Sequence, residues 1–319
     1  MQACLWAIAL LALPAAVASG PYAAGTAHYF NREFDEAVHA FRQLVEREPE
    51  NPSAHFLLAK ALLYQELNRL GMVGSSAFGH DEEYNDFEKP KPDPGISARI
   101  RGTLDLAADL CTGRLETHPS DRDAMYTHAR VLALRATFEF MVGKAYFKAL
   151  ANGRRARALS YRVAELHPEF VDGLLVAGLD EYILGSLPWA VRALIALSGY
   201  RGHRRKGAEM IARVASDGTV SRNEARVLFA LVQRRERRYA EAAASFRSLA
   251  EDFPRAYTFM LESAAMEVAA GNGKEALAVF REVERRRAAD EHRYGRMPER
   301  VTAALGRRIA DLEEEFGSD

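Results

Sequence analysis

Apolar positions recur every three or four residues along most of the chain, which is the spacing of amphipathic helices, and the helices share a pattern. In Tyr239 to Pro254, YAEAAASFRSLAEDFP, an aromatic precedes Glu-Ala, Phe-Arg begins four residues after the Ala, and a Pro stands twelve after it. Phe34 to Pro49, FDEAVHAFRQLVEREP, repeats these intervals, and Lys274-Glu275-Ala276 with Phe280-Arg281 is a third copy. Ala107, Cys111 and Pro119 keep them with Cys111 in the aromatic place, and Ala156 with Pro168 keeps the twelve-residue step. Such units cannot bury their apolar faces alone, so they stack on one another.

The spacing predicts six helix pairs. They are Tyr22 to Phe30 with Phe34 to Glu48, Ala54 to Leu67 with a helix through Ala107 and Cys111, Ala124 to Phe140 with Gly143 to Leu166, Gly173 to Leu184 with Gly207 to Ala215, Arg222 to Arg235 with Tyr239 to Asp252, and Ala256 to Ala270 with Lys274 to Arg287. Asn51 or Ser53 is placed to cap the third helix, and Gly271-Asn272-Gly273 marks a turn. A last amphipathic helix at 298–316 carries Val301, Leu305, Ile309 and Leu312 on one face and a polar opposite face, as a terminal cap requires.

The repeating residues resemble the tetratricopeptide (TPR) repeat, a helix-turn-helix unit of 34 residues. The resemblance implies an all-α solenoid over residues 19–319 that acts by binding, with the first helix of each pair facing a concave groove. By that register the groove residues are Tyr29 and Phe30 in the first pair, Leu231 and Arg234 in the fifth, and Glu262 and Ala265 in the sixth. A second likeness covers residues 179–232. Gly-Ser-Leu-Pro at 185–188, Gly-Tyr-Arg-Gly-His-Arg at 199–204, Gly207, Ala225 and Leu228 are similar to a run in the tetratricopeptide repeat protein 39 and inclusion-body clearance family, with His203 where Asp is expected.

Three stretches depart from the repeat. Residues 71–96 read as a loop insertion, with four Gly, three alternating Pro and a cluster of His80, Asp81, Glu82, Glu83 and Asp86. Without the ligand order of an EF-hand loop, the cluster is expected to be solvated rather than to hold a cation. Aromatics gather at Tyr126, Phe138, Phe140, Tyr146, Phe147 and Tyr161, mostly at core spacing. Residues 187–200 form an apolar insertion interrupted only by Arg192, for which core packing is expected. The alternative is an apolar contact through Leu187, Trp189, Leu194 and Tyr200. The cationic turn after it, with two glycines at a helix start, reads as a tight turn capped by solvated cations rather than an anion site.

Net charge is −1, so no overall field selects nucleic acid, although residues 21–96 hold 7 basic and 13 acidic groups and residues 201–319 hold 23 and 20. Residues 1–18 read as a signal peptide, an apolar run from Leu5 to Leu13 followed by Ala16-Val17-Ala18, which predicts export to the periplasm or cell envelope. Of the two cysteines, Cys4 lies in that segment, and Cys111 is expected to be a buried, inert thiol. No phosphate-binding loop, Gly-x-Ser-x-Gly elbow, His-Glu-x-x-His or Cys-x-x-Cys occurs, so neither catalytic residues nor a cofactor are expected. Asp180 and Glu181, adjacent on a helix, are expected to point apart and share no site. The expected function is a non-catalytic protein-binding scaffold. The alternatives are an apolar-ligand or membrane-associated carrier using 187–200, and a metal-dependent enzyme using the acidic 80–86 loop.

Overall fold

The computed structural model describes residues 20–73, 76–78, 90–197 and 199–316, and every regular element among them is helical. The α-helices are α1 (Pro21–Phe30), α2 (Phe34–Arg47), α3 (Pro52–Arg69), α4 (Pro94–Thr117), α5 (Arg122–Met141), α6 (Tyr146–Leu166) and α7 (Leu174–Gly185), then α8 (Trp189–Ala196), α9 (Arg204–Asp217), α10 (Arg222–Arg235), α11 (Tyr239–Asp252), α12 (Tyr257–Ala270), α13 (Gly273–Ala288) and α14 (Glu299–Phe316). Consecutive helices pack in sequence, except that α7 packs against α9 and leaves α8 outside the stack. The result is the TPR-like all-α solenoid of six helix pairs, with α14 packed on α13 at its end.

The repeat register sets which residues are buried. Ala37, Ala107, Ala156, Ala242 and Ala276 are each within 1% of complete burial, and so are Phe41, Cys111, Ser160, Phe246 and Phe280 four residues later. The small residue lets the partner helix approach, and the larger one fills the gap one turn on. Ser160 holds an aromatic's place because its hydroxyl is satisfied, donating to the Gly173 carbonyl and accepting from the Ala177 N–H at 2.9 Å. Cys111 is wholly buried, and burial pushes its thiol up to about 12. Native protein treated with iodoacetamide at pH 8 is therefore expected to leave Cys111 unmodified by mass spectrometry, with reaction only on unfolding.

The turns repeat as well. Glu48, His118, His167 and Phe253 end their helices at φ between −124° and −134° and ψ between 62° and 77°, and each precedes a Pro. Proline's ring excludes the helical conformation from the residue before it, so the twelve-residue step stops the second helix of a pair. Within pairs, Arg32, Lys144, Arg237 and Gly271 all take positive φ. Asn51 caps α3, its side chain accepting from the Ser53 N–H at 2.9 Å.

The insertion is shorter than its composition predicts. Helix α4 begins at Pro94, where a missing N–H costs nothing, and Asp93 accepts from the Ile96 N–H at 2.8 Å. The anchor for this end is Glu66, which is fully buried and accepts from the Asp93 N–H at 2.9 Å and from Arg69 at 2.7 Å. Earlier in the insertion a 3₁₀ turn, Ser76–Phe78, sends Phe78 into the cluster of Leu261, Phe280, Val301 and Leu305 at the other end of the chain. The acidic cluster from His80 to Asp86 and the signal-like residues 1–18 lie outside the described residues. Helix α9 starts three residues earlier than its apolar spacing predicts, so Arg204, Arg205 and Lys206 form its first turn.

Candidate functional site

Helices α1, α3, α5 and α10, each the first of its pair, meet one another around a shared interior. Phe30 stacks on Phe253 with centroids 5.0 Å apart and joins a cluster with Phe246, Phe259, Leu231 and Ala265. Tyr29 lies edge-on to Phe30 and Tyr64. Arg234 donates to Glu262 at 2.8 Å. Of the six groove candidates, Phe30 and Glu262 are buried and Tyr29, Leu231, Arg234 and Ala265 are half-buried, and Tyr29, Phe30, Leu231 and Ala265 share the apolar cluster where the first pair meets the fifth and sixth. That junction is closed by polar contacts. Glu33 pairs with Arg255 at 3.0 Å and Arg293 at 2.9 Å, and Asn31 accepts from the Arg255 N–H at 2.9 Å. Arg32 donates to Thr258 at 3.2 Å and to the Val73 carbonyl.

An ionic cluster absent from the sequence expectations occupies the centre of this face. Lys60 of α3 donates to Glu224 of α10 at 2.6 Å, and Arg130 of α5 lies 3.6 Å from the same carboxylate. Aromatic faces surround the cations, with Lys60 Nζ 4.2 Å from the Tyr29 centroid and the Arg130 guanidinium 4.1 Å from that of Phe56. Burial pushes the Glu224 carboxyl up, and the two cations more than reverse this, so it stays below its usual range. Burial lowers the Lys60 ammonium and raises the Tyr29 phenol. The available signal was a lone Lys inside the apolar run FLLAKALL.

In the fourth pair, α7 and α9 cross with their backbones in contact. A Cβ on Gly207 would stand 2.4 Å from the Tyr182 nitrogen and 2.6 Å from the Gly178 carbonyl oxygen. The glycines of the cationic stretch therefore serve close approach as well as turning. Glu181 is buried beside the crossing and accepts from Arg157 at 2.8 Å, the Tyr161 phenol at 2.6 Å and the His203 N–H at 2.8 Å. The helix start does hold an anion, and that anion is the chain's own carboxylate. Burial raises Glu181, but these donors hold it below its usual range. Contrary to the expectation from adjacency, Asp180 shares a partner with Glu181, since Arg157 also reaches it at 3.2 Å. Burial raises the Asp180 carboxyl. Arg157, Tyr161, Glu181, His203, Arg205 and Lys206 line an open cleft of about 580 Å³ here. Its carboxylate is already saturated with donors, which suits it to structure rather than acid–base chemistry.

The apolar insertion is not core. Helix α8 has no buried residue, and Trp189 is 78% exposed, Leu194 69% and Leu197 85%. A 119° bend after Gly185 turns it away from α7, so no second layer of the described helices covers it. Leu187 is half-buried, and Tyr200 is buried with its phenol donating to Asp180. The aromatics of the third pair divide. Tyr126 and Phe138 are buried, whereas Phe140, Tyr146 and Phe147 are exposed. No single helix among the described residues is long and apolar enough to cross a membrane, and no group of three metal-ligating side chains occurs among them.

A tetratricopeptide repeat family model matches residues 22–68 and 227–291. A solved structure described as a thermophilic TPR protein in Thermus thermophilus is 14% identical over 78% of this chain and 97% of that chain, with a TM-score of 0.42. No curated protein matches, so the likeness of residues 179–232 to the tetratricopeptide repeat protein 39 and inclusion-body clearance family rests on its motif residues alone. The matched segments contain both the spaced residues that repeat and helices that meet across the interior, and over these two segments the chain is similar to the tetratricopeptide-repeat family.

Proposed function

We propose that the protein is a non-catalytic protein-binding scaffold, exported to the cell envelope, that docks a partner segment along its inner helices. The family supports a protein-interaction role, and the observation that carries the finer reading is the make-up of the inner face. Lys60, Glu224, Arg130, Arg234 and Glu262 place ion pairs where hydrocarbon would serve stability as well or better. Charged groups beside Tyr29 and Tyr64 are the kind that read a partner, and a partner segment that displaces the polar contacts of Glu33 with Arg255 and Arg293 would reach them. The apolar run and small-residue pattern of residues 1–18 support export.

Reversing the Arg234–Glu262 pair tests this reading. Arg234→Glu alone sets two carboxylates together, whereas Arg234→Glu with Glu262→Arg restores an ion pair in the opposite sense. Thermal midpoints are expected to fall in the single variant and recover in the double one. Partner capture from an envelope extract is expected to be lost in both. Capture that recovers together with stability would reject the inner face as the recognition surface.

A further inference from the structure

The exposed apolar surface on α8 has a second half that linear sequence does not join to it. Helices α6 and α7 are antiparallel, in a register set by Ser160 against Gly173 and Ala177 and by Arg157 against Asp180 and Glu181. That register puts the start of α6 at the end of the layer where α7 stops and α8 begins. Phe140, Tyr146 and Phe147 are therefore exposed at the same end as Trp189, Leu194 and Leu197, and Phe147 is 91% exposed.

Cations outnumber carboxylates around this end, where Glu139 lies beside Gly143 and Glu236 takes Arg204. Residues 140–164 contain six Lys or Arg and no Asp or Glu, and residues 182–208 contain five and none, in a chain whose net charge is −1. Lys144 and Lys148 are exposed among the α6 aromatics. The one charge on α8 is turned back, Arg192 donating to the Gly185 carbonyl at 3.2 Å. The helix thus presents hydrocarbon and an indole, with cations at its margins. A second copy of the same face would oppose cations to cations. A surface of closely spaced anions backed by hydrocarbon satisfies both features, and eight helical residues are enough to lie in an interface but far short of the ~20 that span one.

We infer that this end of the molecule is a peripheral membrane contact, in which Phe147, Trp189, Leu194 and Leu197 enter the headgroup region of an anionic bilayer and Lys144 and Lys148 meet its phosphates. It does not use the inner face, so it stands or falls apart from the scaffold reading, and it would hold the scaffold at a lipid surface.

The experiment is flotation of the full chain with vesicles of phosphatidylcholine alone or mixed with phosphatidylglycerol. The bound fraction is expected to rise with phosphatidylglycerol and to fall with added salt. It is expected to weaken about tenfold or more in Phe147→Ser/Trp189→Ser/Leu194→Ser and to lose its anionic preference in Lys144→Glu/Lys148→Glu. All five substituted side chains are exposed, so thermal midpoints should stay at the wild-type value. Trp6 and Trp189 are the two tryptophans. In a Trp6→Phe background, emission from Trp189 should therefore shift to the blue with phosphatidylglycerol vesicles. Unchanged Trp189 emission in a protein that floats would show tethering by residues 1–18 instead and overturn the proposal. So would equal flotation of wild type and variants, or a wild-type dimer that becomes monomeric in the triple-serine variant without any vesicle binding.

Discussion

Replacing Glu224 by Gln is expected to destabilise the protein by about 3–5 kcal/mol, the range for leaving one member of a buried ion pair without its partner. Lys60, 8% exposed at its side chain, would keep its charge among the rings of Tyr29, Phe30 and Phe56 with Arg130 close by and no carboxylate between them. The pH dependence follows from the depressed Glu224 carboxyl. A group whose folded value lies below its unfolded one, about 4.3 for Glu, contributes stability at pH values above the unfolded figure. That contribution is lost as pH falls through the folded value. The gap in thermal midpoint between wild type and Glu224→Gln should therefore be full at pH 7 and narrow below pH ~4 as the wild-type carboxyl takes up its proton. An equal gap at both pH values would show that the loss comes from packing rather than charge. Lys60→Met and Arg130→Met with Glu224→Leu should regain most of the stability, because matched hydrocarbon then replaces all three ions, whose desolvation cost offsets most of their attraction. Its partner capture should stay impaired if the inner face is the recognition surface.

Gly207→Ala is expected to cost about 3 kcal/mol, although the same change elsewhere in the chain should stabilise. The added methyl would stand 2.4 Å from the Tyr182 nitrogen and 2.6 Å from the Gly178 oxygen, both backbone atoms of α7, so relief requires the two helices to separate. Separation would disturb the Glu181 hub, which joins α7 to donors from α6 and the start of α9. Gly102→Ala is the contrasting case. It lies on the exposed side of α4 with nothing within 4 Å of the new methyl, and should gain about 0.5–1 kcal/mol from the lower backbone entropy of the unfolded chain. Opposite shifts in thermal midpoint would confirm the crossing, and parallel shifts would reject it.

The residues legible from the sequence are those whose role is local. The alanine, the large residue four places on and the proline twelve places on identify the buried stripe and the stop of each second helix. Cys111 and Ser160 obey that register although neither is aromatic. Helix starts were less legible where a polar group belongs to a distant element. The early start of α9 places its first turn beside Glu236, which takes Arg204, and brings the His203 N–H to Glu181. No interval along the chain shows that Phe30 lies against Phe253 or that Phe78 enters the cluster of Phe280 and Leu305.

The sequence by itself determined the helices, their pairing and the side of each that is buried, because these follow from spacings of four and twelve residues that act within a single helix and the turn that ends it. The tertiary structure decided how far the array curls, and with it whether the inner face is open or filled by Tyr29, Phe30 and the Lys60–Glu224 pair. It also decided the fate of residues 187–200. Their composition suits a core, but a 119° bend after Gly185 and the backbone contact of α7 with α9 leave α8 without a buried residue. Burial of a short apolar helix depends on a partner surface, and only the arrangement of the other helices supplies or withholds one.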